Sequence, residues 1–442
     1  MSYWYRRVFL LAIPLILSNL TQPLLFTVDT VLSGHLPGPA ALGGVAMGGI
    51  FFNGIYWTFG FLRMATTGLV AQAHGAQDED QLLHHFGRAF LISLTIGAVI
   101  LLVQTPLIAI SLNLLGAGPE VKHNAQIYCG IRIWSAPAAL ANYTILGYLL
   151  GRQRARTALL LQAAINIVNV AVALALVLGQ HWGVAGIATA TCTAEWSGCL
   201  LGLGIMLFYG AHPSRTRWSE IMHGPSLRHL FALNRDILLR TLSLVAAYAW
   251  FTRTGARSGD AILAANAVLL NFHMIAAYAL DGFANAAEAL VGESVGAKRI
   301  ADYRSVLKAS AVSAGTVSVC MSLIYLLFGK QIIDVFTNQE PIRLLAIQYL
   351  PWLIVLPIIA VWSFLLDGIF IGATRAPELR DSMLISFAGF LGLAILLGSR
   401  YGNHGLWCAM LAFMALRGIT LGLRLPSIEK KSFRLTEAPV EA

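Results

Sequence analysis

The chain has 442 residues, 57% of them hydrophobic and only 12% charged, with a mean hydropathy of +0.71. Soluble domains carry about 25% charged residues, so these figures exclude a soluble globular protein and specify a polytopic membrane protein. The net charge of +9 comes from basic residues scattered through short loops, which argues against a nucleic-acid partner and reports membrane topology instead.

Apolar segments bounded by Gly, Pro and charged turns predict twelve membrane spans. They lie near 8–33, 42–70, 88–112, 126–150, 157–179, 184–209, 231–255, 261–291, 305–328, 345–371, 381–399 and 404–424. Ahead of the first, Tyr5-Arg6-Arg7 has no small-residue cleavage site behind it and reads as a cytoplasmic anchor for an uncleaved span. With the N-terminus inside, the inner loops hold Arg152, Arg154, Arg156, Arg215, Arg217, Arg228, Lys298, Arg299, Arg304, Arg375 and Arg380, and the tail adds Arg424, Lys430, Lys431 and Arg434. The outer loops hold only Lys122, Arg253, Arg257, Lys330, Arg343 and Arg400, so both termini are expected on the cytoplasmic side of the membrane. The five cysteines lie in apolar stretches with no CxxC and no metal-ligand spacing, and Cys192 and Cys199 read as small packing residues.

The first span carries the most informative residue. Val8–Phe26 is almost wholly apolar and is followed by a carboxylate, Asp29. At 100° per residue, Ser18, Gln22, Asp29 and Ser33 fall within roughly 60° of one another as one polar stripe. Pro23 removes a helical hydrogen bond, which predicts a kink within the membrane. An acid here is expensive in lipid, so it is expected to face protein or a water-filled cavity.

The two halves repeat. Residues 59–70 align without gaps on residues 280–291, a shift of 221, and the same shift brings Gly147, Gly151 and Arg154 onto Gly368, Gly372 and Arg375. A shift of 219 brings Gly183 and Gly186 onto Gly402 and Gly405. Six spans per half is an even number, so the repeats share one orientation, as in secondary transporters that build two lobes around a central site. The expected division is an N-lobe over 1–210, a cytoplasmic linker over 211–230 with Pro213 and Pro225, a C-lobe over 231–425 and a tail over 426–442.

Polar residues inside the spans carry the functional argument. In the first half Asp29 is accompanied by Glu195 in the sixth span, Asn166 and Asn169 in the fifth, and Thr189, Thr191 and Thr193 along the sixth. In the second, Tyr278, Asp281, Asn285 and Glu288 fall within roughly 80° on the eighth span, and Asp367 lies in the tenth. Trp57, Gly60, Met64 and Thr67 hold the matching places in the first half, so the lobes differ chemically. Arg63, Arg132, Arg240 and Arg417 lie near span ends, where they either snorkel or serve as counter-ions to Asp281, Glu288 or Asp367. The aromatic residues of the second span (Phe51, Phe52, Tyr56, Trp57, Phe59, Phe61) and of the seventh (Tyr248, Trp250, Phe251) serve packing and interface belts, with a subset suited to flat or cationic solutes. A carboxylate in such a setting exchanges its proton at a pH set by its surroundings, and that exchange is a local reason to change conformation. A sodium ion could do the same work given two or three further oxygen ligands.

These stretches resemble a family. Val28-Asp29-Thr30 with Gly34-His35-Leu36, Leu62-Arg63-Met64 with Thr66-Thr67-Gly68-Leu69, the run 233–240, the run 279–284 and the run 366–375, taken in order, are similar to the multidrug and toxic compound extrusion (MATE) transporters over nearly the whole chain, in the DNA-damage-inducible (DinF-like) branch. The resemblance implies twelve helices in two six-helix lobes forming a V, cation-coupled export of cationic or amphipathic compounds, and Asp29 as the coupling carboxylate. It implies an N-lobe cation site in which Asn169 fits the family's Asn. The position one turn on is Ala173 rather than an acid, which disfavours sodium and favours protons, with Glu195 as the candidate second carboxylate. Asp367 matches one member of an acid pair used by the NorM-like branch, but the seventh span offers Asp236 and Arg240 with no mid-span Glu.

The expected function is therefore a monomeric proton-coupled antiporter exporting amphipathic organic compounds, with no bound cofactor or metal. The alternative is a flippase for lipids or lipid-linked oligosaccharides, which should line its cavity with basic residues, whereas the mid-span groups here are chiefly acidic. No HExxH or GxSxG pattern points to an intramembrane enzyme.

Overall fold

The computed structural model describes residues 3–116, 118–211 and 218–433, and for 22–26 the helical backbone alone. The side chains of Gln22 and Pro23, and Pro213, Arg215, Arg217 and Arg434, lie outside the described residues. Those described form an all-helical chain without a strand. We number its long helices α1 (Tyr3–Gly34), α2 (Pro39–Gly75), α3 (79–115), α4 (119–151), α5 (Ala155–Gly179), α6 (Gly183–Phe208), α7 (Gly224–Arg257), α8 (Asp260–Gly296), α9 (Ile300–Phe336), α10 (Glu340–Gly372), α11 (376–401) and α12 (403–432). These twelve rods correspond one to one with the expected spans, and eight of the helical segments, among the described residues, are long and apolar enough to cross a membrane.

Local chemistry accounts for the breaks. Within α3 the helix pauses at Val103, where Pro106 has no N–H to donate to Leu102 and its ring crowds that carbonyl. The third rod begins at Glu79, after the Asp78 cap, and is broken at Val103, so it is not one uniform span over 88–112. Within α4 a 3-10 turn, Ile133–Ser135, precedes Pro137 for the same reason. The fourth rod starts at Pro119, seven residues before the expected 126. The part of the expected linker from Gly224 to 230 is already the first turns of α7, and a short helix, Trp218–Ile221, precedes it. Helix α12 runs through Pro426 to Ser432, into the stretch expected as tail.

The internal repeat is written into the backbone. Left-handed φ values recur at matching places: Gly38 with Gly259, Gln77 with Lys298 and Gln153 with Thr374 at the 221 shift, and Gly183 with Gly402 at the 219 shift. Three of these pairs mark the turns into α3 and α9, α5 and α11, and α6 and α12. The fourth marks the entries to α2 and α8. Side-chain packing repeats as well. A Cβ on Gly147 would meet the backbone oxygen of Arg63, and one on Gly151 would meet that of Thr67. Their counterparts Gly368 and Gly372 lie against the backbone oxygens of Ala284 and Glu288, each 221 residues on. Without a hydrophobic drive between helices in lipid, small residues four apart are what let two helix backbones close together.

The described residues pack as two compact units. One comprises Met1–Ile16, Ala71–Gln77 and Ala232–Ala442, and the other Leu17–Val70 and Asp78–Phe231. The first unit is built around Phe251, Phe272, Phe390, Trp407, Phe413 and Met414, with Phe251 and Trp407 edge to face at 4.9 Å. A buried amide pair pins the start of α12 to α8: Asn266 and Asn403 exchange two 2.8 Å hydrogen bonds, and the Trp407 indole donates to Asn266 at 2.9 Å. Phe52, Tyr128 and Tyr148 are the large fully buried rings of the second unit.

Gly368→Ala should lower the stability of the purified protein by about 1–3 kcal/mol, because the added methyl meets backbone that cannot retreat. Gly204→Ala, on an open helical face, should leave it unchanged or raise it by about 0.5–1 kcal/mol. Unfolding monitored by tryptophan fluorescence in mild detergent separates the two.

Candidate functional site

Asp29 sits on α1 in the second unit and is only 4% exposed. Its Oδ2 accepts a 3.2 Å hydrogen bond from the Tyr128 hydroxyl, while its Oδ1 has no hydrogen-bond partner among the described residues. Tyr128 in turn accepts a 2.6 Å bond from Arg132 Nη1, one turn further along α4. The placement of Tyr128 begins with glycine. Gly44 and Gly48 give α2 a smooth face, and the Tyr128 ring lies where a side chain on Gly48 would stand.

Arg132 is held on its aromatic faces. Its guanidinium carbon lies 4.6 Å from the Phe52 ring centre and 5.5 Å from that of Tyr128. Its carbonyl accepts from Ser135 at 2.7 Å, and Ser135 shares a 3.3 Å bond with the Tyr56 hydroxyl. The guanidinium is within electrostatic reach of both Asp29 and Glu195. Glu195, half-buried on α6, is gripped by Asn142, whose amide donates to its Oε2 at 2.8 Å and to its backbone oxygen at 3.0 Å. Two carboxylates on different helices therefore lie in the field of one guanidinium, whose hydrogen bond goes to Tyr128.

Asn169 is 1% exposed and donates to Thr191 at 3.0 Å, its own Oδ1 being unsatisfied among the described residues. Thr189 instead bonds the Ala185 carbonyl of its own helix. The two threonines are 200° apart around α6, so only one of them can face α5. Asn166 reaches the Thr21 carbonyl at 3.3 Å.

In the first unit, the eighth-span stripe divides into half-buried Tyr278 and Asp281 and buried Asn285 and Glu288. Asp367 on α10 is bound by two arginines at one oxygen. Arg240 of α7 contacts its Oδ2 directly, and Arg417 of α12 donates to the same atom at 2.6 Å. Arg240 is 8% exposed and Arg417 1%, so both are buried partners of an acid instead of snorkelling to the interface. Arg417 also lies 5.6 Å from the Phe413 ring centre. Arg132 belongs with Asp29 and Glu195, and Arg63 lies within electrostatic reach of Tyr143.

Sequence reasoning singled out Asp29, Glu195 and Asn169 but did not pair them with Tyr128, which bonds Asp29, Asn142, which bonds Glu195, or Thr191, which bonds Asn169. Tyr128 and Arg132 carry a readable signal, a polar pair one turn apart on an otherwise apolar stretch. Asn142 carries none before the fold brings α4 against α6.

Asp367→Asn should be strongly destabilising, by about 3–5 kcal/mol, because it strands two buried guanidiniums. Replacing Asp367, Arg240 and Arg417 together with leucine should recover most of that loss. Chemical unfolding in micelles is the test, and equal stability of the wild type and Asp367→Asn would refute the clamp.

The chain matches the MatE family over residues 14–175 and 237–399, one match in each half. It is 43% identical over 417 residues to DNA damage-inducible protein F of Escherichia coli (strain K12), an alignment covering 93% of this chain and 90% of that protein. A probable multidrug resistance protein NorM of Acinetobacter baylyi is 22% identical, with 95% of each chain covered. Among solved structures, an outward-facing multidrug resistance MATE family transporter superposes with a TM-score of 0.86 at 18% identity, and a MOP superfamily transporter from Pyrococcus furiosus with 0.85 at 18%, each covering 97% of both chains. These likenesses carry the two-lobe fold. With a family match in each repeat and a 43%-identical relative along nearly its full length, this chain belongs to the MatE family, in its DinF-like branch, and is a multi-pass membrane transporter and not an enzyme.

Proposed function

We propose that the protein is a proton-coupled antiporter of the bacterial inner membrane, with both termini cytoplasmic, that exports cationic or amphipathic organic compounds as a monomer. The observation that carries this reading is the buried Asp29 carboxylate, with one oxygen bonded by a neutral phenol and the other unanswered among the described residues. A group so placed can take up and release a proton without breaking a salt bridge, and each change of charge in low dielectric alters which conformation is favoured. Asp367 differs in kind, since two arginines hold it as an anion partner.

Protons suit the site better than sodium. A sodium ion needs several converging oxygens, and position 173 in the turn after Asn169 is alanine. Glu195 is the second carboxylate of the proposal. Like Asp29 it lies within electrostatic reach of Arg132, so the charge of one acid bears on the protonation of the other. A membrane potential adds ~2.3 kcal/mol per charge per 100 mV to such an exchange. Asn169 and Thr191 stiffen the α5–α6 contact beside it.

The test uses purified protein in liposomes with an imposed pH gradient and follows uptake of a fluorescent lipophilic cation. The wild type should respond to the pH gradient without sodium, and Asp29→Asn should lose at least about tenfold in rate at equal protein level. Tyr128→Phe, which removes the phenol and keeps the ring, should move the pH profile and leave the protein folded. Transport that follows only a sodium gradient would overturn the proton reading.

A further inference from the structure

Away from Asp29, the second unit has a cavity of about 270 Å³ lined by Leu69 of α2, His85 and Arg88 of α3, and Pro225, Ser226, His229 and Leu230 of the first turns of α7. One liquid water takes up ~30 Å³, so the space holds a tetrahedral oxyanion with part of its hydration shell. Its polar lining consists of hydrogen-bond donors: a guanidinium, two imidazoles and a hydroxyl. Among the described residues no carboxylate lines it.

The arginine is pre-set. Arg88 is 3% exposed, and its Nε and Nη2 both donate to the Glu220 backbone carbonyl, at 3.2 and 2.7 Å. Two of its five N–H donors are thereby fixed, which orients the planar head and leaves its full charge with no carboxylate bonded to it among the described residues. Neighbouring His84 is 7% exposed, and its Nε2 lacks a partner. The acid acting on His85 through space is Asp78, whose side chain is engaged at the start of α3, accepting from the Gln81 N–H at 2.9 Å. A buried arginine that no carboxylate bonds among the described residues, with Glu220 acting on it only through space, stands beside two imidazoles and an open cavity and has donors left for an anion.

We propose that this cavity binds a phosphate group, with Arg88 as its fixed charge and His85, His229 and Ser226 as its remaining donors. The tetrahedral dianion suits it because guanidinium and imidazole donors converge from two helices, and phosphate accepts from several directions at once. Bound there, the group would tie the first turns of α7 to α3 next to the segment that joins the two sequence halves. The phosphate could be the headgroup of an anionic phospholipid or free phosphate. Which of the two reaches it depends on the cytoplasmic placement proposed above, whereas binding itself does not.

The experiment therefore uses purified full-length protein with no gradient and no transported solute. Inorganic phosphate is titrated against thermal unfolding in neutral detergent, with chloride at matched ionic strength as control. Retention of phosphatidic acid against phosphatidylcholine is read by native mass spectrometry. Wild type should be stabilised by phosphate or should retain phosphatidic acid selectively, and His85→Gln with His229→Gln should weaken the effect about tenfold. Phosphate protection alone identifies a free anion, and selective retention alone identifies a lipid headgroup. His229 is exposed, so His229→Gln by itself tests the site even if the double variant folds poorly. Absence of both effects, or effects unchanged in a folded His229→Gln and double variant, overturns the proposal. Since no gradient is used, failure here leaves the antiport reading standing, and failure of antiport leaves this one standing.

Discussion

A carboxylate within a helical membrane protein has to be answered by a counter-charge, by hydrogen-bond donors or by a proton. For Asp29 the first answer stands one residue away: Tyr128 gives it a single hydrogen bond and relays it to Arg132. That arrangement is poised where a direct Arg–Asp pair would be locked. Breaking a buried ion pair costs about 3–5 kcal/mol, whereas a phenol bridge lets the acid change its protonation state while the guanidinium keeps its place over Phe52. Gly44 and Gly48, Phe52, Ser135 and Asn142 are intelligible as parts that hold this relay in register.

The second half answers the same problem in the opposite way. Asp367 sits between Arg240 and Arg417, a clamp joining α7, α10 and α12. The repeat makes the contrast legible. Leu146 stands where Asp367 does at the 221 shift, and Gly198 stands where Arg417 does at the 219 shift. Asn142 and Glu195 correspond in the same way to Ser363 and Met414, which also touch one another, Ser363 Oγ lying 3.7 Å from the Met414 sulfur. Duplicated backbone geometry has thus been kept in two copies, down to the left-handed φ at Gly183 and Gly402, while its polar interior has been filled differently. One copy holds an acid bonded by a phenol and the other an acid held by two arginines.

Much of this could be read in the sequence because the bilayer allows little else. Length, apolar runs and punctuating Gly and Pro predict the twelve rods, and the matching glycines predict the repeat. The breaks at Val103 and Ile133 were missed even though Pro106 and Pro137 announce them, because an apolar window does not register a proline within it. At the site, a carboxylate in an apolar run is conspicuous by its cost, so Asp29 and Asp367 stand out. What they do is decided by residues far away in sequence, Tyr128 at a separation of 99 and Arg240 at 127. Thr189 and Thr191 show the limit most simply. Composition treats them alike, and only the helix phase against α5 tells which one Asn169 meets.

The central claim is that Asp29 is the group whose proton is exchanged for the transported solute. The most direct test is to add tetraphenylphosphonium to concentrated protein in lightly buffered detergent and count the protons released with a pH indicator, for wild type, Asp29→Asn and Glu195→Gln. Release from wild type that vanishes in Asp29→Asn, with the cation still bound, is the predicted result. Undiminished release from Asp29→Asn would contradict the account and move the exchanged proton elsewhere.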